Sequence, residues 1–133
     1  MSENKKNIRV MLVDDDVDFL NQTKIRLEAS GYEVRTAESQ KGGEELLTEF
    51  TPDIALLDLM MENMDGGFAL AYHIKKKDPK IPVIIASGVS SETGIEFDAK
   101  TEEERSWIRA DAFLSKPIRF EQLEKEINKL LKT

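Results

Sequence analysis

Short apolar segments alternate with longer amphipathic ones along the 133 residues, and this alternation restricts the chain to few folds. Apolar and β-branched residues predict strands at 8–13, 32–37, 54–57, 83–86 and 112–114. Apolar residues at helical spacing predict helices at 17–29, 44–50, 68–77, around 102–108 and at 120–132. Strands that are each followed by a helical segment indicate parallel βαβ units. We therefore predict a doubly wound α/β domain, with a five-stranded parallel sheet and helices on both faces.

Composition excludes several classes of function. The chain has no cysteine, so it has no disulfide, no thiolate zinc site and no thiol nucleophile. A formal net charge of −7 argues against direct binding of nucleic acid, which requires cations that neutralise phosphates. The N-terminus lacks the apolar core of a secretion signal, and the apolar runs are far shorter than the roughly 20 residues of a membrane helix. We therefore expect a single cytoplasmic domain without membrane contact.

Polar residues with useful chemistry follow the predicted strands at their carboxyl ends, where open α/β sheets place their ligand sites. Asp14 and Asp15 follow the first strand, Asp58 follows the third and Ser87 the fourth, while the fifth strand leads into Lys116. In the topology that we propose, strands one, three, four and five are neighbours. These side chains should therefore converge on one pocket.

A cluster of carboxylates needs a cation. Asp16 or Asp18 alone is most simply a cap of the first helix. Two carboxylates about 4 Å apart, however, repel each other by on the order of 4 kcal/mol at an effective dielectric constant near 20. Oxygen ligands without His or Cys favour a hard cation, Mg²⁺ first and Mn²⁺ next. Lys116 and Ser87 suit phosphate oxygens, and Asp58 could accept a phosphoryl group covalently.

Five motifs in this order resemble those of receiver domains, the phosphoacceptor domains of response regulators in bacterial two-component signalling. They are Val13-Asp14-Asp15-Asp16, Leu56-Leu57-Asp58-Leu59-Met60-Met61, Met64-Asp65-Gly66, Ile85-Ala86-Ser87-Gly88 and Phe113-Leu114-Ser115-Lys116-Pro117. The resemblance covers nearly the whole chain. It implies a flavodoxin-like sheet with strand order 2-1-3-4-5, in a receiver domain at 8–133 that follows an N-terminal tail at 1–7.

The resemblance assigns a role to each matching residue of the site. Asp58 would accept a phosphoryl group from a histidine kinase. Asp15 would ligate Mg²⁺ directly and Asp14 mostly through water, and Asp58 and the backbone carbonyl of Met60 would complete the protein ligands. Lys116 would bridge to an oxygen of the phosphoryl group.

Three further residues match the switch of the family. Ser87 would move to hydrogen-bond the phosphoryl group, and Phe113 would turn inward into the vacated space. Pro117 matches a proline whose preceding peptide bond is usually cis. The face formed by the predicted fourth helix, the fifth strand and the last helix would then change shape, and a partner would recognise it.

The implied function is a phosphorylation-dependent switch that catalyses only its own phosphorylation and slow dephosphorylation. Its partners would be a sensor histidine kinase or a phosphotransfer protein, and either a downstream protein target or an output domain outside this chain. The domain would be a monomer or a transient homodimer.

Two alternatives stay open at this point. A Mg²⁺-dependent phosphohydrolase also uses an aspartyl nucleophile, but it generally needs a second aspartate at the position of Met60. A degenerate receiver would act only as a binding scaffold. The complete set of acidic, hydroxyl and basic residues counts against that function; the set is Asp14, Asp15, Asp58, Ser87 and Lys116.

Some segments depart from the family pattern. Ser87 and Lys116 are farther apart than in a compact receiver, and the excess lies in the segment 89–109, on the signalling face. The doubled glycine Gly66-Gly67 is predicted to extend the loop before the third helix. The lysines at 75–77 are most simply a solvated helix end.

The residues two positions after Asp58 and Ser87 predict slow loss of the phosphoryl group. They are Met60 and Val89, and neither apolar side chain can orient an attacking water. Following the acyl phosphate of the purified protein over time would test this, and a lifetime of seconds would contradict it.

Overall fold

A computed structural model describes residues 8–59, 66–87 and 110–131. Its five strands are β1 (Arg9–Val13), β2 (Glu33–Ala37), β3 (Ile54–Asp58), β4 (Val83–Ser87) and β5 (Ala112–Ser115). All neighbouring pairs are parallel, and the order is β2-β1-β3-β4-β5. The predicted fold class and strand order are therefore confirmed.

The described residues contain the helices α1 (Val17–Ala29), α2 (Gln40–Glu49), α3 (Gly66–Lys77) and α4 (Phe120–Leu131). None of them is long and apolar enough to cross a membrane. The expected tail at 1–7 and the helix expected around 102–108 lie outside the described residues, as does the rest of the segment 89–109.

Two helix starts differ from the prediction. α2 begins at Gln40, four residues early, because the hydroxyl of Ser39 accepts a hydrogen bond from Gly42 N at 2.9 Å and caps the helix. α3 begins at Gly66, so Gly66 and Gly67 lie in its first turn, and the prediction that they extend the loop is wrong. Apolar spacing could not reveal this, since glycine has no side chain to contribute to the pattern.

The boundaries of α1 agree with the prediction. Asp16 is the N-cap, and its Oδ1 accepts a hydrogen bond from Phe19 N at 3.1 Å. Gly31 follows the C-cap Ser30 with a φ of 105°. This left-handed conformation favours glycine and turns the chain into β2.

The sheet is buried on both faces, because successive residues of its central strands enter two different cores. On one face, alternate residues of β1 and β3 pack against α1 and α4; they include Val10, Leu12, Ile54, Leu56, Leu20, Leu27, Leu123 and Ile127. On the other face the intervening residues pack against α2 and α3; they include Met11, Val13, Ala55, Leu57, Leu47, Leu70 and Ile74. The two cores hold the carboxyl ends of β1 and β3 side by side.

Lys75 corrects the expectation of a solvated lysine run. Its side chain is only 14% exposed, and its Nζ donates to Asp111 Oδ2 and to the carbonyl of Ile81, both at 2.7 Å. The same oxygen of Asp111 accepts from Val83 N at 2.8 Å. Lys75 therefore connects the end of α3 to the starts of β4 and β5, a contact that helical spacing does not show.

Gly43 permits the close approach of α2 and α3, and Gly43→Ala should destabilise the fold. A Cβ at this position would lie 2.9 Å from Leu70 Cδ1 and 3.3 Å from Val13 Cγ2. Overpacking lowers the free energy of unfolding by about 1–3 kcal/mol, whereas the higher helix propensity of alanine raises it by about 1 kcal/mol. We expect urea denaturation to show a net loss of about 1 kcal/mol in the free energy of unfolding.

Leu70→Ala supplies the control, since it removes the atoms that the new methyl group would meet. The combination of Gly43→Ala with Leu70→Ala should be less destabilising than the sum of the single changes. Additive effects would contradict the steric explanation.

Candidate functional site

Four charged side chains meet at the carboxyl end of the sheet. Asp14 and Asp15 directly follow β1, Asp58 is the last residue of β3, and Lys116 directly follows β5. Each aspartate offers one carboxylate oxygen, and these oxygens all lie within 4.8 Å of one another. The structure thus brings together four side chains that the sequence placed at three separate strand ends.

Asp14 is held in one orientation by three hydrogen bonds. Its backbone N–H donates to the carbonyl of Ala37 at 3.1 Å, which connects the residue to the end of β2. Its Oδ1 accepts from Asp16 N at 2.9 Å, and its Oδ2 accepts from Lys116 Nζ at 2.7 Å. Only 2% of the residue is exposed, so both oxygens depend on these donors.

Asp58 is buried because the strand that carries it is buried throughout. Every residue of β3 is buried, and the chain stays in the sheet beyond it, since Leu59 N donates to the carbonyl of Ala86 at 2.8 Å. Asp58 Oδ1 lies 3.3 Å from Lys116 Nζ. The pKa of Asp58 is raised to about 6, mainly by burial and secondly by the negative charge of Asp14. The positive charge of Lys116 opposes this shift.

Asp14 and Lys116 also have shifted pKa values. Burial raises the pKa of Asp14 above its ordinary value, although the hydrogen bond from Lys116 opposes the shift. Burial alone would lower the pKa of Lys116, but the hydrogen bond and charge of Asp14 and the charge of Asp58 outweigh it and raise that pKa. Lys116 is therefore an ammonium group at neutral pH.

The donor set fits a hard divalent cation. Three carboxylates face a single ammonium group within this cluster, and burial raises the pKa of the two buried carboxyl groups in spite of that ammonium group. Oxygen ligands of this kind suit Mg²⁺ or Mn²⁺. Asp15 is the exposed member of the three, so the cluster is open to solvent on its side. Asp14, Asp15 and Asp58 could thus hold a metal ion.

The remaining residues expected at the site are described only in part. Ser87 ends β4, and its backbone pairs with Ser115 of β5. Phe113 lies in β5, partly buried against the core beneath α2 and α3. Pro117 follows Lys116 through a cis peptide bond, as the resemblance implied. The backbone carbonyl of Met60 and the side chain of Ser87 lie outside what the structure describes.

Sequence reasoning missed one residue that touches this site. Phe19, in the first turn of α1, has its ring centroid 5.1 Å from Lys116 Nζ. An aromatic residue three positions after the capping Asp16 was the available signal. Its significance could not be recognised without the distance to Lys116.

Comparison with known proteins identifies the family. The family model of the response regulator receiver domain matches residues 10–128. This chain belongs to that family. As a receiver domain of the two-component type, it takes part in phosphorylation-dependent signalling, and such a domain is typically a signalling domain and not a metabolic enzyme.

Its curated relatives are longer proteins. The chain is 35% identical over 126 residues to the transcriptional regulatory protein ZraR of Escherichia coli, covering 94% of this chain and 26% of ZraR. It is 32% identical over 139 residues to the probable transcriptional regulator ycf27 of Cyanophora paradoxa, covering 99% of this chain and 51% of that protein. The chain thus spans only about a quarter to a half of these two relatives.

Solved structures share the fold along the whole receiver. A CheY-like receiver domain from Methanospirillum hungatei superimposes with a TM-score of 0.76 at 28% identity, covering 94% of each chain. TrrA from Thermotoga maritima, solved in complex with Mg²⁺-BeF, superimposes with a TM-score of 0.74 at 26% identity, covering 93% of this chain and 99% of TrrA.

Asp58→Asn should stabilise the metal-free protein at neutral pH. A pKa raised from the ordinary 3.8 to about 6 means that the folded state binds the proton more tightly than the unfolded state. The resulting stabilisation is complete below the unfolded pKa and is lost as the pH rises through about 6. Asparagine removes this loss, so we expect a gain of about 1–3 kcal/mol in the free energy of unfolding near pH 7.

Urea denaturation in the presence of a chelator tests this expectation. The difference between wild type and Asp58→Asn should shrink as the pH falls through about 6, and it should vanish below the ordinary pKa of 3.8, where Asp58 is protonated in both states. Asp15→Asn is the matched control, since it removes an exposed carboxylate of the same cluster and should change stability less. A destabilised Asp58→Asn variant at neutral pH would contradict the electrostatic account.

Proposed function

We propose that Asp58 accepts a phosphoryl group from a histidine kinase or a phosphotransfer protein, with Mg²⁺ held by Asp14, Asp15 and Asp58. One observation carries the proposal. The carboxylate of Asp58, at the end of the buried strand β3, lies 3.3 Å from the ammonium group of Lys116. One of its oxygens also lies within 4.8 Å of an oxygen of Asp14 and an oxygen of Asp15. This arrangement suits a phosphoryl acceptor beside a divalent cation.

The transfer step needs an ionised Asp58. A carboxylate oxygen of Asp58 attacks the phosphorus, and an O–P bond forms as the P–N bond to the donor histidine breaks. The histidine nitrogen leaves with the electron pair of that bond. With acetyl phosphate as the donor, the P–O bond breaks and acetate leaves. The product is an aspartyl phosphate, with no net oxidation or reduction.

Magnesium would offset the negative charge on the phosphoryl oxygens and on the carboxylates around them. Asp14 and Asp15 are the residues that would hold it together with Asp58, and we extend this ligand set to the backbone carbonyl of Met60 by resemblance. The structure of TrrA in complex with Mg²⁺-BeF shows that a protein of this fold binds Mg²⁺, which supports the proposal.

Lys116 is the cation that contacts the acceptor. Its Nζ lies 2.7 Å from Asp14 Oδ2 and 3.3 Å from Asp58 Oδ1, so a small movement of this side chain can exchange a contact with Asp14 for one with a phosphoryl oxygen. The ammonium group would then stabilise charge that develops during transfer.

We propose the same signalling response that the sequence implied. Ser87 and Phe113 lie on adjacent strands β4 and β5, in which Ile85 pairs with Phe113 and Ser87 with Ser115. A hydrogen bond from Ser87 to the phosphoryl group would displace Ser87 and let Phe113 turn inward, beside Pro117. The affected face includes β5 and α4 and, in our proposal, the segment 89–109.

The output of the domain is a protein contact. ZraR is a transcriptional regulatory protein, and RpaA of Synechocystis is a DNA-binding transcriptional regulator. The match to this chain covers 49% of RpaA. We propose that this receiver controls either a separate protein target or an output domain of a longer chain, as a monomer or a transient homodimer. The net charge of −7 disfavours direct contact of the receiver with nucleic acid.

Acetyl phosphate with Mg²⁺ should add one phosphoryl group to the protein, because Asp58 is the only acceptor that the proposal allows. Intact mass spectrometry measures the adduct. Asp58→Asn should abolish it, a chelator should prevent it, and Lys116→Met should slow it strongly.

Asp53→Asn is the matched control. Asp53 precedes β3 at the opposite end of the sheet and pairs with Arg9 at 3.4 Å, so its replacement should leave the adduct intact. Repeated release of inorganic phosphate without a lasting adduct would favour a phosphohydrolase. A folded protein that forms no adduct would favour a binding scaffold.

A further inference from the structure

We propose that Phe19 is a positioning residue that holds the ammonium group of Lys116 at the acidic site. The kinetic part of this inference rests on the proposed function, whereas its structural part concerns the metal-free protein alone. Lys116 is a flexible side chain, and the two carboxylates near its Nζ fix it only from their own side.

The contact is a cation–π interaction. Lys116 Nζ lies over the ring of Phe19, 5.1 Å from the centroid, within the usual range for an ammonium group above an aromatic face. The side chain of Lys116 is 23% exposed, and Phe19 is partly buried against the core beneath α1 and α4. This partial burial strengthens the interaction, since less water competes for the cation.

The contacts of Phe19 form a closed cycle around the site. Phe19 N donates to the carboxylate of Asp16, and Asp16 N donates to the carboxylate of Asp14. The carboxylate of Asp14 accepts from Lys116 Nζ, which lies over the ring of Phe19. The N-cap and the first turn of α1 therefore fix both the carboxylate of Asp14, which accepts from Lys116, and the ring of Phe19, which lies against the ammonium group of Lys116.

The ring differs from the carboxylates in one useful respect, because it carries no net charge. The attraction between Lys116 and the carboxylates weakens when a divalent cation binds Asp14 or Asp58. The attraction to the ring of Phe19 does not depend on that event. Phe19 should therefore keep Lys116 at the site during the charge changes that accompany phosphorylation.

Nuclear magnetic resonance of the metal-free protein tests the contact directly. The ε-methylene protons of Lys116, assigned by their loss in Lys116→Met, should be shifted upfield by the ring current of Phe19. Phe19→Leu keeps an apolar side chain without a π face and should abolish the shift, whereas Phe19→Tyr should retain it. A wild-type resonance at the position of an exposed lysine would overturn the proposal.

Phosphorylation by acetyl phosphate tests the consequence. Phe19→Leu should lower the second-order rate about three- to ten-fold, the range expected from a partly buried cation–π contact. Phe19→Tyr should restore the rate. In the Lys116→Met background, Phe19→Leu should have no further effect on the residual rate, since no ammonium group remains to be positioned.

A stability control separates positioning from general destabilisation. Ile127 lies in α4 and is buried in the core beneath α1 and α4. Ile127→Val removes one methyl group from that core, so it should lower the melting temperature without slowing phosphorylation. Equal slowing by Phe19→Leu with and without Lys116 would overturn the proposal, as would failure of Phe19→Tyr to restore the rate. If the wild-type protein forms no adduct, the proposed function fails, but the resonance of Lys116 still decides the role of Phe19.

Discussion

Two buried carboxylates share one ammonium group at the carboxyl end of the sheet, and the chemistry of the site follows from this imbalance. Lys116 contacts both Asp14 and Asp58, yet burial keeps the pKa of each carboxyl group raised. The uncompensated negative charge favours a proton or a divalent cation in the site. A protein built only for stability would avoid such an arrangement, since buried charges are costly unless they are paired.

The apolar core makes this arrangement possible. β3 is buried along its whole length, so its last residue, Asp58, lies in a region of low dielectric constant and not in solvent. The two cores on either face hold β1 and β3 in register, with Val13 opposite Leu57, and this pairing brings Asp14 next to Asp58. Hydrophobic packing thus works against electrostatic repulsion, and the receiver gives up some stability at the site for which we propose phosphoryl transfer.

Much of the site could be predicted before the structure, because residues at the carboxyl ends of parallel strands must meet at one edge. Asp14, Asp15, Asp58 and Lys116 are predicted because they follow the carboxyl ends of predicted strands. The helix stop at Gly31 and the cap at Asp16 were also predictable, since both depend on local backbone chemistry. Gly66 in α3 and the partly buried Lys75 were not, because the first contributes no apolar signal and the second depends on Asp111, 36 residues away.

The sequence by itself determined the fold class, the strand order and the family, since these follow from periodicity and from motifs at strand ends. Tertiary structure decided which groups are buried and what they touch. Lys116 and Asp14 are 102 residues apart, and only the folded sheet sets their distance at 2.7 Å. The ring of Phe19 over Lys116 and the raised pKa of Asp58 are likewise products of packing. Distance and burial are properties of the folded chain, and no local pattern of residues encodes them.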